Sequence, residues 1–140
     1  MYLLIATPDN NGFTLAIGEQ KIKKIVFVKK QYKQAELLLV EINKLIGKQK
    51  VTGVMVVAGP GAFSALRIGI ATANALSYAL KKPIVGLKYD SKQEIDREVA
   101  DSLWNMGVKK LSKKCVWKMN CLVVPFYDKE PNITKAKPAI

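Results

Sequence analysis

Residues 51–87 read VTGVMVVAGPGAFSALRIGIATANALSYALKKPIVGL, an order of residue types that leaves few folds open. VTGVMVVA is short, rich in β-branched residues and uncharged, as a strand covered on both faces must be. Gly59-Pro60-Gly61 interrupts it, and from there to Leu80 the only charge is Arg67. Lys81-Lys82-Pro83 closes the helix: cations favour its negative end and proline cannot extend it. IVGL, 84 to 87, is a second buried strand. Strand, helix and strand in this order predict a parallel pair joined by a right-handed crossover.

Upstream, the hydrophobic period is that of strands. YLLIA (2–6) is followed by the turn formers of TPDNNG, and FTLAI and KIKKIVFV are joined through Gly18-Glu19-Gln20-Lys21, which predicts a three-stranded antiparallel meander. From Tyr32 to Ile46 the period lengthens. Ala35, Leu38, Leu39, Ile42, Leu45 and Ile46 recur at three- and four-residue steps, placing them on one helical face. Leu37 and Val40 lie off that stripe. Downstream of residue 88, Ser91 and Glu94 have capping-box spacing. Ile95, Val99, Leu103 and Met106 share a helical face that ends at Gly107, read as a helix stop. Asp90, Asp96, Glu98 and Asp101 fall on the other face as solvated charge with no metal-ligand pattern. The basic stretch 109–118 leads to CLVVPFY, predicted as a strand, and to a tail with Pro and Lys. The expected fold class is α/β with a mixed sheet over 1–88, followed by an appendage over 89–140.

Charge and composition narrow the function. Twenty-three Lys and Arg against 11 Asp and Glu give a net charge of +12 and a pI near 9.7, which concentrates polyanions, nucleic acid above all. All of these cations except Arg67 and Arg97 are lysine. Lysine suits attraction to phosphate better than bidentate reading of bases, so sequence-specific DNA recognition is not expected. There is no histidine, which closes imidazole-based hydrolase relays and histidine-containing zinc sites to the chain acting alone. Cys115 and Cys121 fit neither a zinc knuckle nor a redox pair. MYLLIATPDNN lacks a basic leader, and no charge-free run reaches the ~18 residues of a membrane span. The expectation is a cytoplasmic protein with no membrane association.

Two uses suit the Gly-Pro-Gly turn. Its backbone N–H groups can cradle a phosphate at the helix N-terminus, with Gly59, Gly61 and Arg67 as the residues concerned. Pro60 removes one donor, however, and no Gly-Lys-Ser/Thr follows. Alternatively, the glycines aim the helix across the sheet. Gly69 and Ala73, extended by Ala65 and Ser77, form a row of small residues that lets a neighbouring helix come close, while Leu66, Ile70, Leu76 and Leu80 fill other faces. A single sheet covers one side of such a helix. With the first helix also apolar on two sides, the expectation is an intermolecular helical bundle, homodimeric or heteromeric. Arg67, about one turn in, can brace loop carbonyls, meet a phosphate or reach a partner's carboxylate.

VVAGPGAFSALRIGIATANALSYALKKPIVGL (56–87) resembles the signature of the TsaB (YeaZ) family, which reads like GPGSFTGLRIGLATAKGLA before a Pro-led strand. QAELLLVEI (34–42) resembles that family's first helix, and PFYDKEPNITKAK its carboxyl-terminal Pro-x-Tyr-x-Arg tail. The resemblance implies a single actin-like, ribonuclease-H-like (ASKHA) lobe over 1–88 that is not itself a catalyst, with 89–140 as a reduced second lobe. It further implies a partnership with a TsaD-like catalytic subunit and a TsaE-like ATPase, which together place threonylcarbamoyl on adenosine 37 of tRNA. The resemblance also implies a homodimer when the partner is absent. The partner-binding positions are then Gln34, Ala35, Leu38 and Ile42 in the first helix and Leu66, Gly69, Ile70, Ala73, Asn74 and Ser77 in the second. The catalytic relatives carry a paired-histidine metal site that this chain lacks. Ala6 stands where the family's strand-end Asp aligns, Gln34 where its helix has His, and Ala62, Ser64 and Ala65 where its loop has Ser, Thr and Gly. No cofactor or metal is therefore expected.

Two other functions compete. One is a small nucleotide-binding, ATPase-like lobe, with Asp9, Asp90 or Asp128 holding magnesium. The other is a stand-alone RNA-binding module using Lys109, Lys110, Lys113, Lys114 and Lys118, with Trp104 and Trp117 as stacking groups.

Overall fold

The computed structural model describes residues 1–60, 63–89, 94–113, 117 and 122–125. Its elements run β1 (Tyr2–Asp9), β2 (Gly12–Gly18), β3 (Ile22–Val28), α1 (Gln34–Ile46), β4 (Gly53–Gly59), α2 (Phe63–Leu80), β5 (Ile84–Lys88) and α3 (Arg97–Ser112). The strands form one sheet in the order β3-β2-β1-β4-β5. The β1–β2 and β2–β3 pairs are antiparallel, and the β1–β4 and β4–β5 pairs are parallel. The meander and the crossover unit expected from the sequence are therefore joined edge to edge through β1 and β4.

Alternation along the strands sorts the core into two layers. Leu3, Ile5, Leu15, Val54 and Val56 pack with Leu38 and Ile42 of α1 and Leu66, Ile70 and Ala73 of α2. Leu4, Ala6, Ala16, Met55 and Val57 pack with Ala100, Leu103, Trp104 and Leu111 of α3. Because β1, β2 and β4 are buried on both faces, their sequences are apolar almost throughout. Edge strand β3 instead exposes Lys23 and Lys24, charges that discourage a further strand from pairing there.

The third helix departs from its sequence reading. Ser91 lies outside the described residues. The helix is capped by Asp96, whose carboxylate accepts from the Val99 N–H at 2.8 Å, and Ile95 is buried just ahead of it. Gly107 is not a stop: it sits inside α3, where an added Cβ would lie 2.0 Å from Met55 Sδ. Close packing on β4, and not termination, calls for glycine there. Met106 turns outward while Trp104 is 1% exposed, its indole N–H donating to the Glu19 carbonyl at 3.0 Å.

CLVVPFY does not behave as a strand in its described part, since residues 122–125 are irregular. Val123 satisfies its backbone on a side chain: Asn74 Nδ2 donates to its carbonyl at 3.0 Å, and its N–H donates to Asn74 Oδ1 at 2.9 Å. The Val123 side chain sits against Gly86 of β5.

Candidate partner-binding face and the turn before it

The junction of β4 and α2 is built on backbone geometry. Gly59 has φ +110° and precedes a cis peptide to Pro60, a conformation open to glycine and costly for other residues. Its carbonyl accepts from the Tyr89 N–H at 2.8 Å. Two contacts then hold α2 at its start. Thr7 Oγ1, buried at the end of β1, donates to the Ala65 carbonyl at 2.8 Å, and Ser64 Oγ donates to Asn10 Oδ1 at 3.1 Å. Arg67 is exposed, and Gly61 lies outside the described residues.

The small-residue row of α2 faces the chain's own sheet. Ala65 and Ala73 are fully buried, Ser77 is buried, and a Cβ on Gly69 would come 2.0 Å from Thr7 Oγ1. The close approach expected for a neighbouring helix is thus made by β1. Ser77 Oγ donates to the Lys82 carbonyl across the end of the helix. Leu66 and Ile70 join Leu38 and Ile42 in the core between helices and sheet. Asn74 is half-buried and holds Val123. Gln34, 1% exposed, donates from Nε2 to the carbonyls of Asp9 (2.9 Å) and Gly12 (3.2 Å), latching α1 to the β1–β2 turn. Of the ten positions assigned to a partner, Ala35 alone is exposed.

The outward surface is made by other residues. On α1 it carries Ala35, Leu39 (59% exposed) and Val40 (48%); on α2 it carries Arg67, Ala71, Ala75, Tyr78 (59%) and Leu80. Arg67, Ala71, Ala75 and Tyr78 recur at helical spacing, forming one stripe. The two helices lie side by side on the same face of the sheet. The sequence reading of α1 is corrected here: Ala35 and Leu39, placed on the core stripe, point outward, and Leu37, placed off it, packs against the core, because the sheet and α2 together cover a face turned slightly from the one the spacing gave; Val40 lies off the stripe as expected.

A cleft of about 400 Å³ opens at the far end of the β1–β2 hairpin, lined in part by Asp9, Phe13, Phe27 and Glu94. Asp9 Oδ1 accepts from the Asn11 N–H at 2.8 Å, and Glu94 pairs with Lys29 at 3.4 Å. Asp90 and Asp128, the other carboxylates considered for magnesium, lie outside the described residues, as do Lys114 and Lys118. The stacking role expected for Trp104 is excluded by its burial and its bond to Glu19. Lys109, Lys110 and Lys113 stand exposed at the end of α3. No helix among the described residues is long and apolar enough to cross a membrane.

Comparison with known proteins places this architecture. YeaZ from Pseudomonas aeruginosa aligns with a TM-score of 0.56 at 22% identity, over 62% of this chain and 43% of that one. The chain is TsaB-like in fold. A second structure, of an uncharacterized protein with similarity to peptidase YEAZ from Pseudomonas aeruginosa, matches the TsaB-like chain with the same score and identity, over 42% of its own length. Residues 31–89, from just before α1 to just after β5, match the family TsaD: tRNA N6-adenosine threonylcarbamoyltransferase. A tRNA N6-adenosine threonylcarbamoyltransferase of Carboxydothermus hydrogenoformans is 38% identical over 52 residues, which are 37% of this chain and 16% of that protein. The TsaB-like chain thus spans less than half the length of the solved relatives and under a fifth of the curated one.

Proposed function

We propose that the chain is a non-catalytic scaffold subunit of the machinery that installs threonylcarbamoyl on adenosine 37 of tRNA. In this role it binds a TsaD-like catalytic subunit through the outer face of α1 and α2. The observation that carries the reading is the exposed apolar face of Leu39, Val40, Ala71, Ala75 and Tyr78, which lies within the span similar to TsaD. The chain's own sheet lies behind these helices and leaves that face uncovered. Burying a side chain the size of leucine contributes about 1.5–3 kcal/mol, so a few such residues anchor an interface. A homologous partner presents two equivalent helices, and pseudo-two-fold packing of four helices is the economical arrangement. The same face supports a homodimer when the partner is missing. A TsaE-like ATPase completes the complex, and the absence of histidine is consistent with chemistry residing in the partner.

The buried ligatures of the face give the test its controls. Ala71→Glu and Leu39→Glu place a charge on the outer surface; both variants should fold, yet bind the TsaD-like subunit at least ~100-fold more weakly, because an unpaired carboxylate would be desolvated in the interface. Ala73→Glu instead buries a charge beneath α2 and should fail to fold. Co-expression, co-purification and mass-spectrometric measurement of modified adenosine read the outcome. Association and modification undiminished in folded Ala71→Glu and Leu39→Glu proteins would overturn the proposal.

A further inference from the structure

The charge excess is not spread evenly over the chain. Strand register brings the start of β1, β4 and β5 together with the β2–β3 turn: Tyr2 pairs with Gly18 and Gly53, and Val54 pairs with Ile84. The connections that meet there are 19–21, 47–52 and 81–83. The end of α3 reaches the same edge, since Leu111 lies against Gly53 and Trp104 is bonded to Glu19. In these segments every charged residue except Glu19 is lysine, and Glu19 is paired with Lys23 at 3.5 Å. Lys21, Lys48, Lys50, Lys81, Lys82 and Lys113 are all exposed and make no ion pair among the described residues. The opposite end is mixed in charge: Asp9, Glu36, Glu94, Asp96 and Glu98 stand there among Lys29, Lys30, Lys33, Arg67, Lys88 and Arg97, with Lys29 paired to Glu94, Lys33 to Glu36 and Arg97 to Asp101.

From this segregation we propose that the lysine-bearing end of the sheet binds the phosphodiester backbone of a folded nucleic acid directly, without a partner subunit. Crossing from β3 to β5 at about 4.8 Å per strand gives a row of roughly 19 Å, long enough to meet several phosphates. Like charges gathered this closely repel one another, within about two Debye lengths at physiological salt. A polyanion relieves that repulsion and releases its own condensed counterions. The residue types select the mode of contact. Lysines on loops neutralise phosphates but do not read base edges bidentately, and the indole of Trp104 is sealed in the core, which removes it as a platform for an unpaired strand. A single strand stacked on exposed Tyr78 is the outcome that the single-stranded probe tests against, whereas the spread of lysines over separate loops fits a helical backbone. This contact stands whether or not another subunit covers α1 and α2.

Fluorescence anisotropy of the full chain with a labelled RNA hairpin, a DNA duplex and a single strand of equal length tests it between 50 and 200 mM KCl. With about four phosphates neutralised at ~0.9 counterion each, the slope of log affinity against log salt is about −3.6, a loss of about 10²-fold over that range. The hairpin-to-duplex ratio reports which sugar backbone is preferred, and both should exceed the single strand. Lys48→Glu with Lys81→Glu should flatten the slope by about 2. Lys29→Glu with Lys30→Glu, the same change of net charge at the other end, should leave affinity within about threefold. Circular dichroism verifies folding, and Lys48→Gln with Lys81→Gln gives a milder pair with the same expected direction. Equal losses at the two ends, a slope near zero, or tighter binding to phosphatidylglycerol vesicles than to the hairpin would each overturn the proposal.

Discussion

Gly69 and Thr7 are a matched pair. The hydroxyl of Thr7 reaches from β1 to the Ala65 carbonyl through the space that a side chain at position 69 would fill. Gly69→Ala must push β1 and α2 apart or turn Thr7 away from its acceptor. The expected cost is about 1–3 kcal/mol, typical of overpacking, read as a lower urea midpoint with an unchanged m-value. Removing the obstacle should restore part of the loss. In the double variant with Thr7→Ala, the combined destabilisation is expected to be smaller than the sum of the two single changes. Additive losses would show that position 69 is sensitive for some reason other than Thr7.

Among the elements, Asn74 gives α2 a second task besides packing on the sheet. Its carboxamide presents one acceptor and one donor to a segment that arrives without strand neighbours, so two backbone groups of Val123 are satisfied by one side chain. Asn74→Leu should speed hydrogen exchange at the Val123 amide and destabilise the chain by about 1–2 kcal/mol, the usual cost of unmade bonds at half-buried groups. Asn74→Asp, which keeps the acceptor for the Val123 N–H, should fall between. If exchange at Val123 is unchanged in Asn74→Leu, Asn74 is not what holds the segment. A contact of this kind leaves no mark in sequence periodicity, and residues 122–125 accordingly read as a strand. The other elements were legible where one period dominates: β1, β2 and β4 through continuous apolar runs, α1 through its three- and four-residue steps. The small row of α2 was legible as a ridge but not as to its side, because spacing does not say whether a sheet or a helix comes close. Gly107 shows the same ambiguity, since a packing glycine and a helix-ending one look alike until Met55 is placed.

At the scale of the whole molecule, the sheet separates surfaces of different chemistry. Its helix-bearing face turns Leu39, Ala71 and Tyr78 outward, its strand-start end gathers lysines, and α3 closes the remaining face with Trp104 at its centre. That indole touches three separate parts of the fold: it lies in the core of α3 and the sheet, 6.5 Å from the Tyr2 ring, and bonds to the turn after β2. Its emission should consequently be blue-shifted in the native state and move to the red when α3 leaves the sheet. A Trp117→Phe background isolates the signal. If the shift precedes the loss of far-ultraviolet ellipticity in a denaturant titration, α3 detaches before the strands and the other helices melt; coincident curves mean one cooperative unit. The chain thus carries an optical gauge of its own, wired between α3 and the turn that joins β2 to β3, with no dye needed to follow how this architecture comes apart.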